Sequence, residues 1–209
     1  MLPQAALELL ERGLEALPFA VSPEQRAQLA QYLTLLNRWN AVHNLTAVRD
    51  PLQQVPRHVL DCLAVVPYLE DAHTLADIGS GAGLPALLLA VMRPQLAVLA
   101  VESNGKKAAF IRQAVTALQL PNVQVAAQRA EDWRGAPQDI IISRALTSAT
   151  AFVQMTVHFG GAHSRWLLMK GREAENVEAA GFTLHAAHPL QVPYLDAERV
   201  LLDIRREDA

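Results

Sequence analysis

Glycines at 79, 81 and 83 separate an apolar run from a helix-compatible one in Leu75-Ala76-Asp77-Ile78-Gly79-Ser80-Gly81-Ala82-Gly83-Leu84-Pro85, a spacing suited to a nucleotide-like cofactor. Glycine lets the backbone turn sharply and approach a ligand where any Cβ would collide, and a following helix offers unpaired N–H groups. The dinucleotide fingerprint G-x-G-x-x-G would put its third glycine at position 84, where this chain has Leu84. Asp77, two residues before the first glycine, would repel a pyrophosphate and suits a cationic ligand. S-adenosylmethionine carries a sulfonium and an ammonium with no phosphate, and is the cofactor these residues predict. Glu102 closes the next apolar run, Leu96-Ala97-Val98-Leu99-Ala100-Val101. An acid about 20 positions past a glycine loop is where βαβ nucleotide sites bind ribose hydroxyls. The glycines alone fit a tight structural turn equally well; Asp77 and Glu102 in a strand, helix, strand frame favour the cofactor loop.

Two later motifs belong to the same expected site. Ala130-Glu131 follows a third predicted strand, where a backbone N–H and a short acceptor can read an adenine edge. Ser143-Arg144 ends a fourth, and ligands of open α/β sheets sit outside the carboxyl ends of strands. Arg144 also suits a surface ion pair with Glu131 or Asp132. Further cations are Lys106, Lys107 and Arg112 on one helix start, and Arg129, Arg134, Lys170 and Arg172 on later loops; each taken singly also fits a solvated face.

Nearer the N-terminus, Asn44 and Thr46 can hydrogen-bond a base or phosphate or cap local turns, and Arg57 with His58 can pair a phosphate. His58 and Asp61 stand three residues apart, so a helix-stabilising pair is an equal reading to a substrate contact. Cys62, the single cysteine, lies among Leu60, Leu63 and Val65 and reads as a buried, inert thiol. The 7 histidines are scattered, with no H-E-x-x-H or cysteine pair, so no metal is expected.

These residues fall on two parts of the chain, predicted as an N-terminal helical extension over 1–72 and a core over 73–209. Leu7, Leu10, Leu14 and Leu17 share helical spacing, and a second helix opens at Ser22-Pro23, cap then proline. Leu29, Tyr32, Leu33, Leu36 and Trp39 continue its apolar stripe. A third begins at Asp50-Pro51 and runs to about Leu69, shortened or bent by Pro56 and Pro67. From Thr74, apolar runs at 96–101, 123–127, 139–142 and 165–169 alternate with helical segments near 104–119, 146–158 and 172–180. The tail, 182–188 and 199–205, has no helix between its runs and predicts an antiparallel pair at one sheet edge.

With 209 residues, 51% of them hydrophobic and 19% charged, the chain suits one globular unit with an extension. A formal charge of −3 excludes a general nucleic-acid coat, so any RNA contact must come from a local patch. The first 17 residues carry Glu8, Glu11 and Glu15 among leucines and do not read as a signal peptide; no apolar run reaches membrane-spanning length. A reducing cytoplasm is the expected location.

Taken in order, the motifs resemble the RsmG (GidB) family, bacterial methyltransferases of guanine N7 in 16S ribosomal RNA. They are Asn44-Leu45-Thr46-Ala47, Arg49-Asp50-Pro51, Arg57-His58-Val59-Leu60-Asp61, the glycine loop, Glu102-Ser103-Asn104-Gly105-Lys106-Lys107, Arg129-Ala130-Glu131, Ser143-Arg144-Ala145 and Met169-Lys170-Gly171. Departures are Ala86, where a further glycine is common, and Leu146, where an aromatic often follows. The resemblance implies a class I S-adenosylmethionine-dependent methyltransferase: Rossmann-like, mostly parallel, with an antiparallel C-terminal hairpin. It implies that Gly79 and Leu84 line the cofactor, that Ala130 and Glu131 meet the adenine, and that Arg144 closes the site. Expected cofactor contacts are thus Asp77, Gly79, Gly81, Gly83, Leu84, Glu102, Ala130, Glu131 and Arg144. Arg144 and Lys170 would position the reacting base, and Asn44, Thr46, Arg57, His58, Lys106 and Lys107 would hold RNA. The expected partner is 16S ribosomal RNA within the small subunit or its precursor, with no membrane and no obligate protein partner. A methyltransferase of a small molecule or protein is the alternative. Guanine N7 has an in-plane lone pair and no proton, so its methylation needs no general base.

Overall fold

The computed structural model describes residues 2–144, 147–171 and 176–207. Ala145 and Leu146 of the expected motifs, and Arg172, lie outside the described residues.

Three helical stretches precede the sheet. Helix α1 (Gln4–Glu15) buries Ala6, Leu10 and Leu14. Helix α2 (Pro23–His43) opens on a full capping box: the Ser22 hydroxyl accepts from Gln25 N, and Gln25 Oε1 accepts from Ser22 N. Asp50 caps α3 (Pro51–Gln54) by accepting from Leu52 N. Pro56, which has no N–H to continue the i to i−4 ladder, falls where the chain widens into a π turn over Val55–Leu60 before α4 (Asp61–Leu63). A 3-10 turn over Val66–Leu69 follows. The third predicted helix is therefore several short pieces, bent where its prolines required.

The core alternates strand and helix: β1 (Thr74–Ile78), α5 (Ala86–Met92), β2 (Ala97–Val101), α6 (Gly105–Leu118), β3 (Val123–Ala126), β4 (Gln138–Arg144), α7 (Ala149–Thr156), β5 (Gly160–Lys170), β6 (Phe182–Pro189) and β7 (Val200–Arg206). The sheet order is β3-β2-β1-β4-β5-β7-β6. The first five strands pair in parallel, while β7 runs antiparallel between β5 and β6. Order reverses between β1 and β4, leaving a crevice above their carboxyl ends.

Strand residues alternate between two cores, one per face. Leu75, Val98, Ile140, Ile142 and Leu167 join the helical extension, α5 and α6. Ala76, Leu99, Ile141, Trp166 and Leu168 join Phe152 and Val153 of α7. The predicted helix near 172–180 is corrected by the described part of that segment: residues 176–180 carry no helix. Val177 and Ala179 face the core at strand-like alternation, and Glu178 N donates to Thr150 Oγ1 rather than to a preceding turn.

The extension is tied to the core by polar bonds as well as apolar packing. Gln25 Nε2 donates to the Val91 and Met92 carbonyls ending α5, and Gln28 Nε2 to the Leu118 carbonyl ending α6. These side chains satisfy carbonyls that helix ends leave unpaired.

Candidate active site

The glycine loop folds back over the end of β2, with Gly79 N and Ser80 N both donating to Val101 O at 2.9 and 3.0 Å. Gly79, Gly81 and Gly83 have φ of 70°, 58° and 76°, all left-handed. A Cβ at Gly81 would enter open space, its nearest neighbour being Gly79 O at 3.8 Å, whereas one at Gly83 would collide with Leu87. Gly81 thus keeps room above the loop, and Gly83 lets the loop meet α5.

Two acids and a tyrosine hold this loop from below. Glu102 Oε2 accepts from Gly81 N at 2.8 Å and Oε1 from Asn104 N at 2.7 Å. Glu102, expected as a ribose acceptor, is thus a brace for the loop, each oxygen using one lone pair on backbone. Tyr32 of α2 donates its buried hydroxyl to Ala82 O at 2.8 Å. Asp77 is fully buried; its Oδ2 accepts from Ala86 N at 3.1 Å, while Oδ1 has no partner among the described residues. Burial pushes its carboxyl up to about 7. An unpartnered buried carboxylate oxygen beneath a glycine cradle fits a cationic, nucleoside-bearing group such as S-adenosylmethionine.

Because the folded pKa is raised, Asp77 costs nothing below its unfolded pKa of about 3.9 and destabilises the ligand-free fold increasingly as pH rises through 7. Asp77→Asn retains an acceptor for Ala86 N without a charge. Its melting temperature should rise relative to wild type between pH 5 and pH 8; a constant difference across that range contradicts the assigned burial cost.

Beside the loop, a cavity of about 190 Å³ is lined by Gly79, Val101, Ser103, Ala130, Glu131 and Met155. Ala130 and Glu131 thus meet the glycine loop at one opening, whereas Leu84, 5% exposed, joins the core shared with the helical extension and does not line this cavity.

A second cavity of about 370 Å³ lies at the ends of β4 and β5, lined by Arg57, His58, Asp61, Arg144, Lys170 and Arg199 among others. Ser143 Oγ donates to Ile78 O at 2.8 Å, locking the end of β4 against the strand that carries the glycine loop. Arg144 Nη1 donates to Arg57 O at 2.9 Å and approaches Asp61 Oδ2 at 3.4 Å, while Arg199 Nε donates to Asp61 Oδ1 at 2.9 Å. Among the described residues, Arg57, Arg144, Lys170 and Arg199 thus line a cavity with one carboxylate, Asp61, which pairs with Arg144 and Arg199. Lys170 Nζ donates to Thr147 O at 2.7 Å.

Two pairings that the sequence left open as alternatives are not formed. Arg144 pairs with Asp61 rather than Glu131 or Asp132, because β2 and β1 separate the end of β4 from the residues after β3. His58 and Asp61 do not pair with each other: His58 Nε2 meets Thr46 Oγ1 at 2.8 Å and Nδ1 meets Arg57 O at 3.0 Å. Burial, reinforced by the charge of Arg144, pushes the imidazole down to about 4. Cys62 is buried, and burial pushes its thiol up to about 12.

Thr46 stands behind His58, and Thr46 N donates to Asn40 Oδ1. Asn44 caps α2 in a left-handed conformation, with Oδ1 accepting from Arg49. Lys106 and Lys107 sit at the start of α6, where Asn104 takes their backbone N–H groups, and do not line the second cavity. Sequence reasoning missed Arg199. Asp61 was read as a local pair with His58 or a substrate contact, although an acid inside the apolar run Leu60-Asp61-Cys62-Leu63 signals a buried partner.

A switch-point crevice carrying a glycine loop, within this strand order, defines the Rossmann-like class I methyltransferase fold. Solved structures agree. A SAM dependent methyltransferase from Aquifex aeolicus aligns with a TM-score of 0.54 at 16% identity, covering 70% of this chain and 90% of that one. Magnesium protoporphyrin IX methyltransferase from Synechocystis aligns at 0.57 and 14%, covering 90% and 100%. The chain belongs to the GidB family, rRNA small subunit methyltransferase G, which matches residues 25–202. Ribosomal RNA small subunit methyltransferase G of Dichelobacter nodosus is 50% identical over 204 residues, covering 97% of each chain. Its counterpart in Xanthomonas euvesicatoria is 46% identical over 201 residues, covering 94% of this chain and 93% of the relative.

Proposed function

We propose that this chain transfers the methyl group of S-adenosylmethionine to N7 of a specific guanine in 16S ribosomal RNA, within the small subunit or its precursor in the bacterial cytoplasm. The observation that carries this reading is the cationic cavity joined to the glycine loop through the bond from Ser143 to Ile78. A polyanionic substrate fits Arg57, Arg144, Lys170 and Arg199 around one carboxylate. A small neutral substrate has no use for them.

S-adenosylmethionine supplies an electrophilic methyl on a sulfonium. Gly79, Gly81, Gly83 and Leu84 shape its cradle in this reading, Asp77 and Glu102 provide negative charge and ribose acceptors, and Ala130 and Glu131 meet the adenine. Arg144 and Lys170 hold the target guanine by O6 or phosphate. N7 must stay open, since its lone pair forms the new bond as the carbon–sulfur pair returns to sulfur. Arg57 and His58, with Thr46 bonded to His58 and Asn44 bonded to Arg49, border the RNA side, with Lys106 and Lys107 as outer phosphate contacts. The extension over 1–72 and the core over 73–209 work as one unit, as the bonds from Gln25 and Tyr32 support.

His58 has no role as a base in this account. An imidazole pushed down to about 4 is neutral throughout pH 6 to 8, so His58 should add no slope to the single-turnover rate on bound RNA there. His58→Gln should weaken RNA binding more than the transfer step. A large loss of that step at saturating RNA, restored by added imidazole, contradicts the mechanism.

The reading is tested by offering methyl-labelled S-adenosylmethionine to small subunits and to naked 16S RNA from cells lacking the enzyme. Label retained in RNA supports it; label in protein or in a small molecule favours the alternative. Calorimetry against NAD checks the cofactor.

A further inference from the structure

Asp61 occupies an unusual place in the cationic cavity. Its side chain is 5% exposed, yet it reaches two guanidiniums from different parts of the chain: Arg144 from the end of β4 and Arg199 from the entry to β7. The π turn of Val55–Leu60 sets Asp61 at the start of α4 and aims the Arg57 carbonyl at Arg144. One carboxylate oxygen serves each arginine. Arg144 spends Nη1 on Arg57 and Asp61, and Arg199 spends Nε on Asp61 and Nη1 on Glu198 O. Among the described residues, Nε and Nη2 of Arg144 and Nη2 of Arg199 meet no hydrogen-bond partner.

We propose that Asp61 is a positioning residue for methyl transfer, a buried anionic post that sets the relative orientation of Arg144 and Arg199 so that the two together grip the target nucleotide. The proposal rests on the reading of this cavity as the RNA site. Removing like-charge repulsion between two facing guanidiniums lets both stay in place before substrate arrives, and a planar fork fixed in one orientation holds a phosphate or carbonyl at one distance and angle. Asp61 therefore acts through the arginines. Since it lowers the positive charge of the cavity, it opposes simple RNA attraction while favouring correct placement.

That opposition gives a test that a purely structural role would not pass. Asp61→Asn keeps the shape but offers one acceptor oxygen, so at most one arginine retains its bond. At saturating 16S RNA and S-adenosylmethionine, kcat should fall by roughly 10- to 100-fold through misplacement. The dissociation constant for RNA at low salt should stay equal or tighten. In a double-mutant cycle, Arg199→Gln should cost less in the Asp61→Asn background than in wild type. Arg199→Lys, which keeps charge without the fork, should reproduce the kcat loss with near-normal RNA binding, and keeps the test available if Asp61→Asn does not fold. Normal kcat in both variants, additive losses, or kcat and RNA affinity falling together overturns the positioning role. Absence of transfer by the wild-type chain instead overturns the assignment of an RNA methyltransferase.

Discussion

Arg144→Ala is expected to lower methyl transfer by about 10²- to 10³-fold, the loss typical when a preorganised charged donor is removed from a reacting centre. Arg144 ends β4, is joined to Asp61 and the Arg57 carbonyl, and faces the cationic cavity. Truncation removes the donor that holds O6 or phosphate and leaves Asp61 with Arg199 as its remaining partner. The fold should survive with a lower melting temperature, because a buried carboxylate loses one of two cations. Single-turnover transfer to small-subunit RNA, with circular dichroism as a control for folding, measures the effect. Normal transfer with lost thermal stability alone shows that Arg144 is only a structural ion-pair member.

Gly81→Val is expected to abolish S-adenosylmethionine binding in calorimetry, a loss of at least about 100-fold. A valine at φ 58° is strained, and its side chain fills the open space above the loop. The strain costs roughly 1–3 kcal/mol, so the variant should still fold. Affinity equal to wild type contradicts the assignment of the loop.

The glycine loop and the two acids beneath it were legible because their signals are local. Three glycines, Asp77 before them and Glu102 after the next strand lie within one βαβ unit, whose period and turn chemistry are written in consecutive residues. Caps were equally plain: Ser22-Pro23 and Asp50-Pro51 begin helices where the sequence places them. What could not be read was set by tertiary partners. The stretch near 172–180 has helical composition, yet in its described part Thr150 takes the Glu178 N–H and the core takes Val177 and Ala179 at alternate positions. Asp61 pairs with residues 83 and 138 positions away, and no spacing rule brings those three together. Glu102 was expected as a ribose acceptor, and the bonds to Gly81 and Asn104 that make it a brace depend on how two loops meet.

Borohydride reduction followed by aniline scission detects methylation at guanine N7 of small-subunit ribosomal RNA. Methylation at N7 makes the base cationic and the reduced ring labile, whereas methyl groups on exocyclic amines, on N1 or on ribose leave the backbone intact. Small subunits lacking the modification should, after incubation with the wild-type chain and S-adenosylmethionine, give one new RNA scission at a single guanine, absent with Arg144→Ala. Methyl label retained in the RNA without scission, or label found in protein, contradicts the account.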